Sequence, residues 1–269
     1  MISYVISLCE KLQLGIAYIG AYCITTFENI GAFFIFMVRV IKTAFSSKLR
    51  VHQFFEQMLV TGVQSINIIL LTGFSTGSVL AWQSYIGFKR FGAEEFIGPV
   101  VALSLIRELG PVLTGLMVTG RAGSAMTAEL GTMSITEQLE ALQTLCIDVN
   151  QYLMVPRVLG TTIVMPFLSL FSMLCGIIGG YIICVSVLYL NGEQYIEGIS
   201  RFVELEDITS GLIKAAAFGF ILSIVACYKG FYTSGGAKGV GLATTQSVVI
   251  SSISILIADY FLTTVLFSR

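Results

Sequence analysis

Two opposite charges interrupt an otherwise apolar stretch near the middle of the chain. Arg107 and Glu108 lie within residues 97–120, and Gly110 and Pro111 follow them closely. An ionised side chain at bilayer depth is costly unless it faces protein or water. Adjacent residues on a helix point about 100° apart, so each charge needs a separate partner. We interpret the pair as the polar wall of a substrate cavity; an internal ion-pair arrangement that fixes helix packing is the alternative.

Three more charged residues lie in or beside apolar stretches. Arg121 and Glu129 follow the first pair, and small residues recur every fourth position between them, which is typical of closely packed helices. We expect both charges near the cytoplasmic boundary. Asp259 lies near the centre of the last apolar stretch, where Arg107 and Lys214 are both candidate partners for it. We predict that Arg121, Glu129 and Asp259 are structural polar residues of the membrane domain.

A short amphipathic segment covers residues 134–146. Ser134 and Glu137 have the spacing of a capping box, which predicts a helix that begins at Ile135. Apolar residues recur along one face, and the other face carries glutamate and glutamine. A helix that lies on a bilayer usually carries Lys or Arg on its polar face, so the acidic face favours a groove on a soluble protein partner. The residues of this coupling segment that we expect to matter are Glu137, Gln138, Leu139, Glu140 and Leu142.

The elements that position these residues are predicted membrane spans. Of the 269 residues, 55% are hydrophobic and only 12% are charged, whereas a soluble domain carries about 25% charged residues. A spanning helix needs about 20 apolar residues. The charge-poor stretches are residues 12–38, 57–85, 97–120, 158–191, 208–228 and 240–268. The sequence therefore predicts an all-α, polytopic membrane protein.

The first of these stretches is ambiguous, because Glu28 lies at its centre and a basic cluster follows it. We favour an amphipathic helix at the membrane interface over a span, which leaves five transmembrane helices. The bias of Lys and Arg places residues 39–52 inside and the 191–207 loop outside. Two domains follow from this reading: an N-terminal membrane-interface segment, residues 1–50, and a transmembrane domain, residues 51–269.

Several classes of function find no support in the sequence. A net charge of −1 provides no basic field for nucleic acid. One histidine and six scattered cysteines form no metal-ligand pattern and no catalytic constellation. The glycine-rich residues 235–241 do not match a phosphate-binding loop, and we interpret them as a flexible loop. We therefore expect no catalytic residue, metal or cofactor in this chain, and ATP hydrolysis, if transport needs it, on another subunit.

Five motifs resemble the MlaE-type permeases, the membrane subunits of Mce-associated lipid ABC transporters. They are residues 103–112 (LSLIRELGPV), 120–125 (GRAGSA), 127–133 (TAELGTM), 136–142 (TEQLEAL) and 155–157 (VPR). A looser similarity continues to the C-terminus through residues 258–263 (ADYFLT). The combination is long and specific, so we identify the chain as similar to this family from about residue 98 onward.

The resemblance implies a homodimeric permease, with an N-terminal interfacial helix and five spans per subunit, in the bacterial inner membrane. Its implied function is to move phospholipids between the inner and outer membranes and so maintain the lipid asymmetry of the outer membrane. In such systems a cytoplasmic ATPase pair grips the helix around residues 137–142, a periplasmic Mce-domain protein caps the outer face, and a small cytoplasmic STAS-type subunit is a further partner. The pair that matches Arg107 and Glu108 lies by a lipid cavity between the two subunits.

Two other functions stay open on the residues alone. An ion-coupled secondary transporter would use Arg107, Glu108 and Asp259 as a charge relay. A non-transporting membrane scaffold would use residues 134–146 as a docking helix. The two halves of the chain show no internal repeat, which weighs against the secondary transporter.

Overall fold

The computed structural model describes residue 24, residues 27–46 and residues 50–267, and within them the chain forms helices and no strand. The chain divides into two compact units, Met1–Ser47 and Lys48–Arg269. The helices are α1 (Phe27–Ser46), α2 (Val51–Thr61), α3 (Ile66–Phe88), α4 (Ile97–Ser104), α5 (Gly110–Val118), α6 (Ser124–Ile135), α7 (Gln138–Thr144), α8 (Val155–Ile182), α9 (Gly192–Phe202), α10 (Leu205–Phe231) and α11 (Gly236–Phe267).

Helix α1 is the described part of the first unit. It has 20 residues and a mean hydropathy of 1.4, so its length and composition also suit a membrane span. The interfacial helix predicted at residues 12–38 falls in large part on residues outside the described ones. Its position at the interface therefore stays a prediction.

The second unit contains five helical runs that are long and apolar enough to cross a membrane, and α1 makes six in the described part of the chain. Several runs join more than one helix through a short 3₁₀ or π-helical turn. The five runs are Val51–Phe91, Glu94–Ile135, Asn150–Val187, Leu205–Phe231 and Gly236–Leu266. Each overlaps one of the stretches predicted from residue 57 onward, which confirms the all-α polytopic fold.

Two loops expected from the sequence are helical in the structure. Helix α9 occupies most of residues 191–207, and Asn191 caps its first turn. The Tyr195 hydroxyl donates to the carbonyl oxygen of Ile177 on α8 at 3.3 Å, and burial raises the pKa of this phenol. The prediction of a flexible loop at residues 235–241 is also wrong, because α11 begins at Gly236.

Helix α10 lies at the centre of the second unit. Of the 18 consecutive residues that form its most apolar part, 67% are buried, whereas the corresponding share in α11 is 11%. Its Phe218 and Leu222 pack into the main apolar core, which also takes side chains from α3, α5 and α8. Burial on all sides explains why a polar side chain on α10 must find its partners within the protein.

Glycines bring α3 and α8 into backbone contact. A Cβ atom on Gly77 would lie 1.9 Å from the carbonyl oxygen of Gly176, and a Cβ on Gly73 would lie 2.5 Å from that of Ser172. Small residues at such a contact let two helices in a membrane approach closely. The same helix offers a comparison, because a Cβ on Gly87 would meet nothing within 4 Å.

We expect Gly77→Ala to destabilise the protein by about 1–3 kcal/mol, the usual cost of overpacking, or by more if the helices cannot separate. Gly87→Ala is the matched control, because removing a helix-interior glycine at an open site stabilises by roughly 0.5–1 kcal/mol. Thermal unfolding of both variants in detergent measures the difference. Equal unfolding midpoints for the two variants would contradict the close α3–α8 contact.

Candidate functional site

Two π-helical turns interrupt the run Glu94–Ile135. The first, Leu105–Leu109, contains Arg107 and Glu108, and the second, Thr119–Gly123, contains Arg121. Such turns are rare and frequently occur at functional sites. The charged residues singled out by the sequence on this stretch thus lie largely where the helix departs from regular geometry.

Arg107 binds a carboxylate at the start of α10. Its Nε and Nη2 atoms lie 2.7 Å and 2.6 Å from Oδ1 of Asp207. The Arg107 side chain is 41% exposed, whereas that of Asp207 is 4% exposed. Asp207 also accepts the backbone N–H of Glu204 at 3.1 Å, and a carboxylate is favourable at a helix N-terminus. The sequence analysis placed Asp207 in an outer loop. It did not predict the ion pair with Arg107, because the two residues are 100 positions apart in the chain.

Lys214 is the buried centre of the site, with a fully buried side chain. Its ammonium donates to Oε2 of Glu108 at 2.7 Å and to Oγ1 of Thr263 at 2.7 Å. It also donates to the carbonyl oxygen of Arg107 at 3.0 Å. Oδ1 of Asp259 lies 3.2 Å away and completes the site as a second ion pair. Of the two candidate partners for Asp259, the structure brings Lys214 to it.

Pro111 explains why a hydrogen-bond donor is needed at this point. It lies four residues after Arg107 and has no N–H, so the carbonyl oxygen of Arg107 lacks its regular helical donor. Lys214 supplies a donor from the neighbouring helix. Freed backbone groups in membrane helices are commonly satisfied in this way. Pro111 therefore signals an acceptor in the sequence, but the donor is known only from the fold.

The polar site joins three helical runs and has an accessible side. Two cations, Arg107 and Lys214, face three carboxylates, Asp207, Glu108 and Asp259, which gives a formal charge of −1 when all are ionised. Glu108 is 38% exposed, so a guanidinium and a carboxylate are both open to a ligand. Such a surface can bind a polar headgroup, and the described residues contain no cluster of three or more His, Cys, Asp or Glu able to hold a metal ion.

Arg121 closes the break between α2 and α3. Its Nη1 atom donates to the carbonyl oxygen of Val60 at 2.5 Å and to Oγ of Ser65 at 3.2 Å, and Nη2 contacts the side chain of Gln64. The carbonyl of Val60 lies next to the break at Gly62, where the regular ladder ends. Arg121 therefore has partners within the bundle.

Glu129 pairs with Arg157, a residue that the sequence analysis noted only as part of a motif. Oε1 of Glu129 lies 2.9 Å from Nη2 of Arg157, and the Arg157 side chain is 3% exposed. A buried arginine needs such a partner. Nothing in the local sequence pattern of either residue indicates this contact between α6 and α8.

The coupling segment begins later than the capping box predicts. Ser134 still belongs to α6, and its hydroxyl donates to the carbonyl oxygens of Phe231 and Thr233, both at 3.2 Å. Glu137 adopts a left-handed conformation with φ of 59°, and α7 begins at Gln138. The prediction of a helix start at residue 135 is wrong because the end of α10 engages the serine hydroxyl.

Helix α7 presents a polar surface beside one buried anchor. Leu139 is buried and Leu142 is half-buried, whereas Glu137, Gln138 and Glu140 are exposed. Within α7 the two leucines of the predicted apolar face are thus less exposed than its glutamate and glutamine neighbours, whereas Cys146, at the end of that predicted face, lies outside α7 and is exposed. The role of α7 in docking a partner stays a prediction.

Comparison with known proteins gives this geometry a context. The family described as Permease MlaE matches residues 54–265. A probable ABC transporter permease protein of Rickettsia typhi is 45% identical over 249 residues, which are 93% of this chain and 96% of the relative. The intermembrane phospholipid transport system permease protein MlaE of Haemophilus influenzae is 40% identical over 213 residues, with 79% and 82% of the two chains covered. The chloroplastic protein TRIGALACTOSYLDIACYLGLYCEROL 1 of Arabidopsis thaliana is 37% identical over 229 residues, with 85% and 65% covered.

Proposed function

This chain belongs to the MlaE permease family, and on that premise we propose that it is the membrane subunit of an ABC transporter that moves phospholipids between the inner and outer membranes, in the service of outer-membrane lipid asymmetry. The observation that carries the proposal is the family match over residues 54–265, which includes the polar site and α7. The permease is not itself an enzyme, and ATP is hydrolysed by a separate ATPase subunit. The Haemophilus influenzae relative is named for intermembrane phospholipid transport, which supports the same substrate class here.

The assembly we propose is a homodimer in the bacterial inner membrane, with a periplasmic Mce-domain protein on the outer face and a small STAS-type subunit in the cytoplasm. Helix α11 supports the homodimer. It has 32 residues, yet only 11% of its most apolar window is buried within one chain. A long apolar helix with so little cover in one copy suits a surface that a second copy and lipid share.

The lipid site we propose lies around Arg107 and Glu108. A guanidinium is well suited to a phosphate because its donors form a fixed planar fork. An apolar groove of about 540 Å³ lies between α10 and α11 and includes Phe220 and Ile257. It also includes Ala258, the neighbour of Asp259. A polar site and an apolar groove on the same two helices, α10 and α11, suit the headgroup and the acyl chain of a phospholipid.

The cavity proposal predicts that Arg107→Ala lowers lipid cross-linking to the permease by roughly 10–100-fold, the equivalent of a charged hydrogen bond worth about 1.5–3 kcal/mol. Glu108→Ala should lower it as well, since that carboxylate shares the exposed side of the site. Photo-cross-linking with a phospholipid probe in membranes measures both. Arg201→Ala, at an exposed arginine of α9, is the control and should cross-link as the wild type does. Unchanged cross-linking in both site variants, with the folded protein retained, would refute the cavity.

The docking site we propose for the ATPase is α7. Glu140 on α7 and Glu137 just before it are both exposed, and ABC permeases need an element that receives force from the ATPase. The acidic face favours a groove on the ATPase that carries basic residues. The effect of reversing one of these charges is taken up in the Discussion.

The function as a whole is tested by purifying the tagged permease from its native membrane. We expect an ATPase to co-purify, and we expect its turnover to respond to added phospholipid. Gradient-driven uptake by the lone protein in liposomes would instead support an ion-coupled transporter. Recovery without any ATPase, together with tolerance of neutral substitutions at the charged span residues, would support a scaffold. The relatives favour neither alternative, because they are named as a probable ABC transporter permease and as the permease of an intermembrane phospholipid transport system.

A further inference from the structure

One buried guanidinium contacts both ends of the segment that contains α7. Arg157 lies in the first turn of α8. Its Nη2 atom lies 2.9 Å from Oε1 of Glu129 on α6, and its Nη1 atom donates to the carbonyl oxygen of Leu153 at 3.0 Å. Residues 130–152, which include α7, lie between these two contacts in the sequence. A single side chain therefore contacts the residues on both sides of this segment.

The second of these places is irregular backbone. Leu153 lies in the π-helical turn Asn150–Met154, immediately before α8. Such a turn departs from the regular hydrogen-bond ladder, and Arg157 provides a donor for the Leu153 carbonyl within it. The remaining nitrogen of the guanidinium, Nε, is buried and has no hydrogen-bond partner among the described residues. An unsatisfied buried donor costs stability, and such a group in a folded protein calls for an explanation.

The same π-helical turn is tied to α2 as well. The guanidinium of Arg50 stacks over the ring of Tyr152, 4.7 Å from its centroid. Met154 is buried at the end of the turn. The turn is thus anchored on two sides, so a displacement of α7 that reaches it also reaches the starts of α2 and α8.

Both links between α7 and these anchors contain a residue with an uncommon backbone conformation. Glu137 precedes α7 and Cys146 follows it, and both have left-handed backbone conformations, with φ of 59° and 56°. Non-glycine residues adopt this region rarely, and mostly in turns. The short helix therefore lies between two turns, and its direction depends on how the chain is held beyond them.

We propose that Arg157 is the positioning residue that fixes α7 relative to α6 and α8, and that it thereby transmits movement of α7 into the membrane bundle. This inference rests on the proposed function, in which an ATPase acts on α7. The planar guanidinium fixes the angle between its two acceptors, whereas the ammonium of a lysine keeps the charge and loses that geometry. Without the arginine, α7 pivots at its two flanking turns and its movement is not passed on.

The test compares Arg157→Lys and Glu129→Gln with the wild type in proteoliposomes that contain the permease and its ATPase. ATP turnover and phospholipid transfer are measured in the same vesicles. We expect both variants to assemble and to hydrolyse ATP at close to the wild-type rate. Phospholipid transferred per ATP should fall roughly tenfold, which is within the range of a single coupling interaction.

Two further measurements separate positioning from a merely structural role. Hydrogen exchange over residues 138–148 should become faster in both variants and stay unchanged in α10. Lys229→Gln is the control, because this cation lies near the same end of α10 and binds only the side chain of Gln246, at 3.2 Å, among the contacts of the described residues. It should keep both the wild-type exchange and the wild-type ratio of lipid to ATP.

The outcomes are distinguishable. An unchanged ratio of lipid to ATP in Arg157→Lys, with wild-type exchange over α7, overturns the positioning role. A parallel loss of ATP turnover and transfer together with loss of the assembled complex also overturns it, because that pattern belongs to a structural residue. If Arg157→Lys does not fold, Glu129→Gln decides the question alone, since Glu129 is the more exposed of the two partners. Failure of the wild-type complex to transfer phospholipid contradicts the proposed function instead.

Discussion

Lys214→Met is expected to destabilise the folded permease by about 3–5 kcal/mol, the usual cost of removing one partner from a buried ion pair. Methionine has a similar shape and no charge. Glu108 and Asp259 then lose their cation, and the carbonyl oxygen of Arg107 loses the donor that replaces the missing N–H of Pro111. Fluorescence-detected size exclusion after heating measures the loss, and we expect a lower unfolding midpoint and less monodisperse protein.

A neutralised variant separates the structural from the functional part of this effect. Combining Lys214→Met with Glu108→Gln and Asp259→Asn removes both carboxylates that the lysine leaves behind. Replacing every member of a buried charged group is far less costly than removing one, so most of the lost stability should return, while phospholipid cross-linking stays low. A wild-type midpoint in Lys214→Met alone would show that the ammonium is not needed where the structure has it.

Glu140→Arg is expected to abolish most of the association with the ATPase. Glu140 lies exposed in the first turn of α7. Breaking a charge pair that an interface buries costs about 2–5 kcal/mol, and every 1.4 kcal/mol is roughly tenfold in affinity. The amount of ATPase recovered with the tagged permease, at low and at moderate salt, measures the effect. ATP turnover in the recovered material should fall in proportion.

The matched control is Glu193→Arg. Glu193 is also an exposed glutamate in the first turn of a helix, α9. Reversal at that position has the same unfavourable effect on a helix N-terminus, about 0.3–1 kcal/mol, but it lies outside α7. We expect ATPase recovery to stay at the wild-type level. If Glu140→Arg also left recovery and turnover intact, docking through α7 would be wrong.

Membrane spans were the most predictable part of the fold, because length and apolar content are properties of the sequence itself. The boundaries were less predictable. Residues 191–207 carry many charges and so look like a loop, but Tyr195 packs α9 onto the bundle. The start of α11 at Gly236 was missed, because glycines in sequence suggest a loop when no neighbouring helix is considered.

The polar site was predictable only in part. Arg107, Glu108 and Asp259 stand out because charges are rare in apolar stretches, and each does belong to the network around Lys214. Their partners did not stand out. Asp207 lies among several acidic residues, and its contact with Arg107 depends on how α10 packs against the first π-helical turn. The role of Arg157 was likewise not predictable, because it depends on tertiary contacts. No periodicity in the sequence distinguishes a buried, paired arginine from one on the surface.

The buried lysine also constrains how the chain is made. A lysine at the centre of a membrane helix raises the free energy of insertion by about 2.5–3.5 kcal/mol when it enters lipid alone. Glu108 is translated 106 residues before Lys214, so its counter-charge has already left the ribosome when the lysine emerges. The order of translation therefore delivers the acceptor before the donor. The helix Leu205–Phe231 then leaves the insertion channel most readily when the earlier span is still beside it.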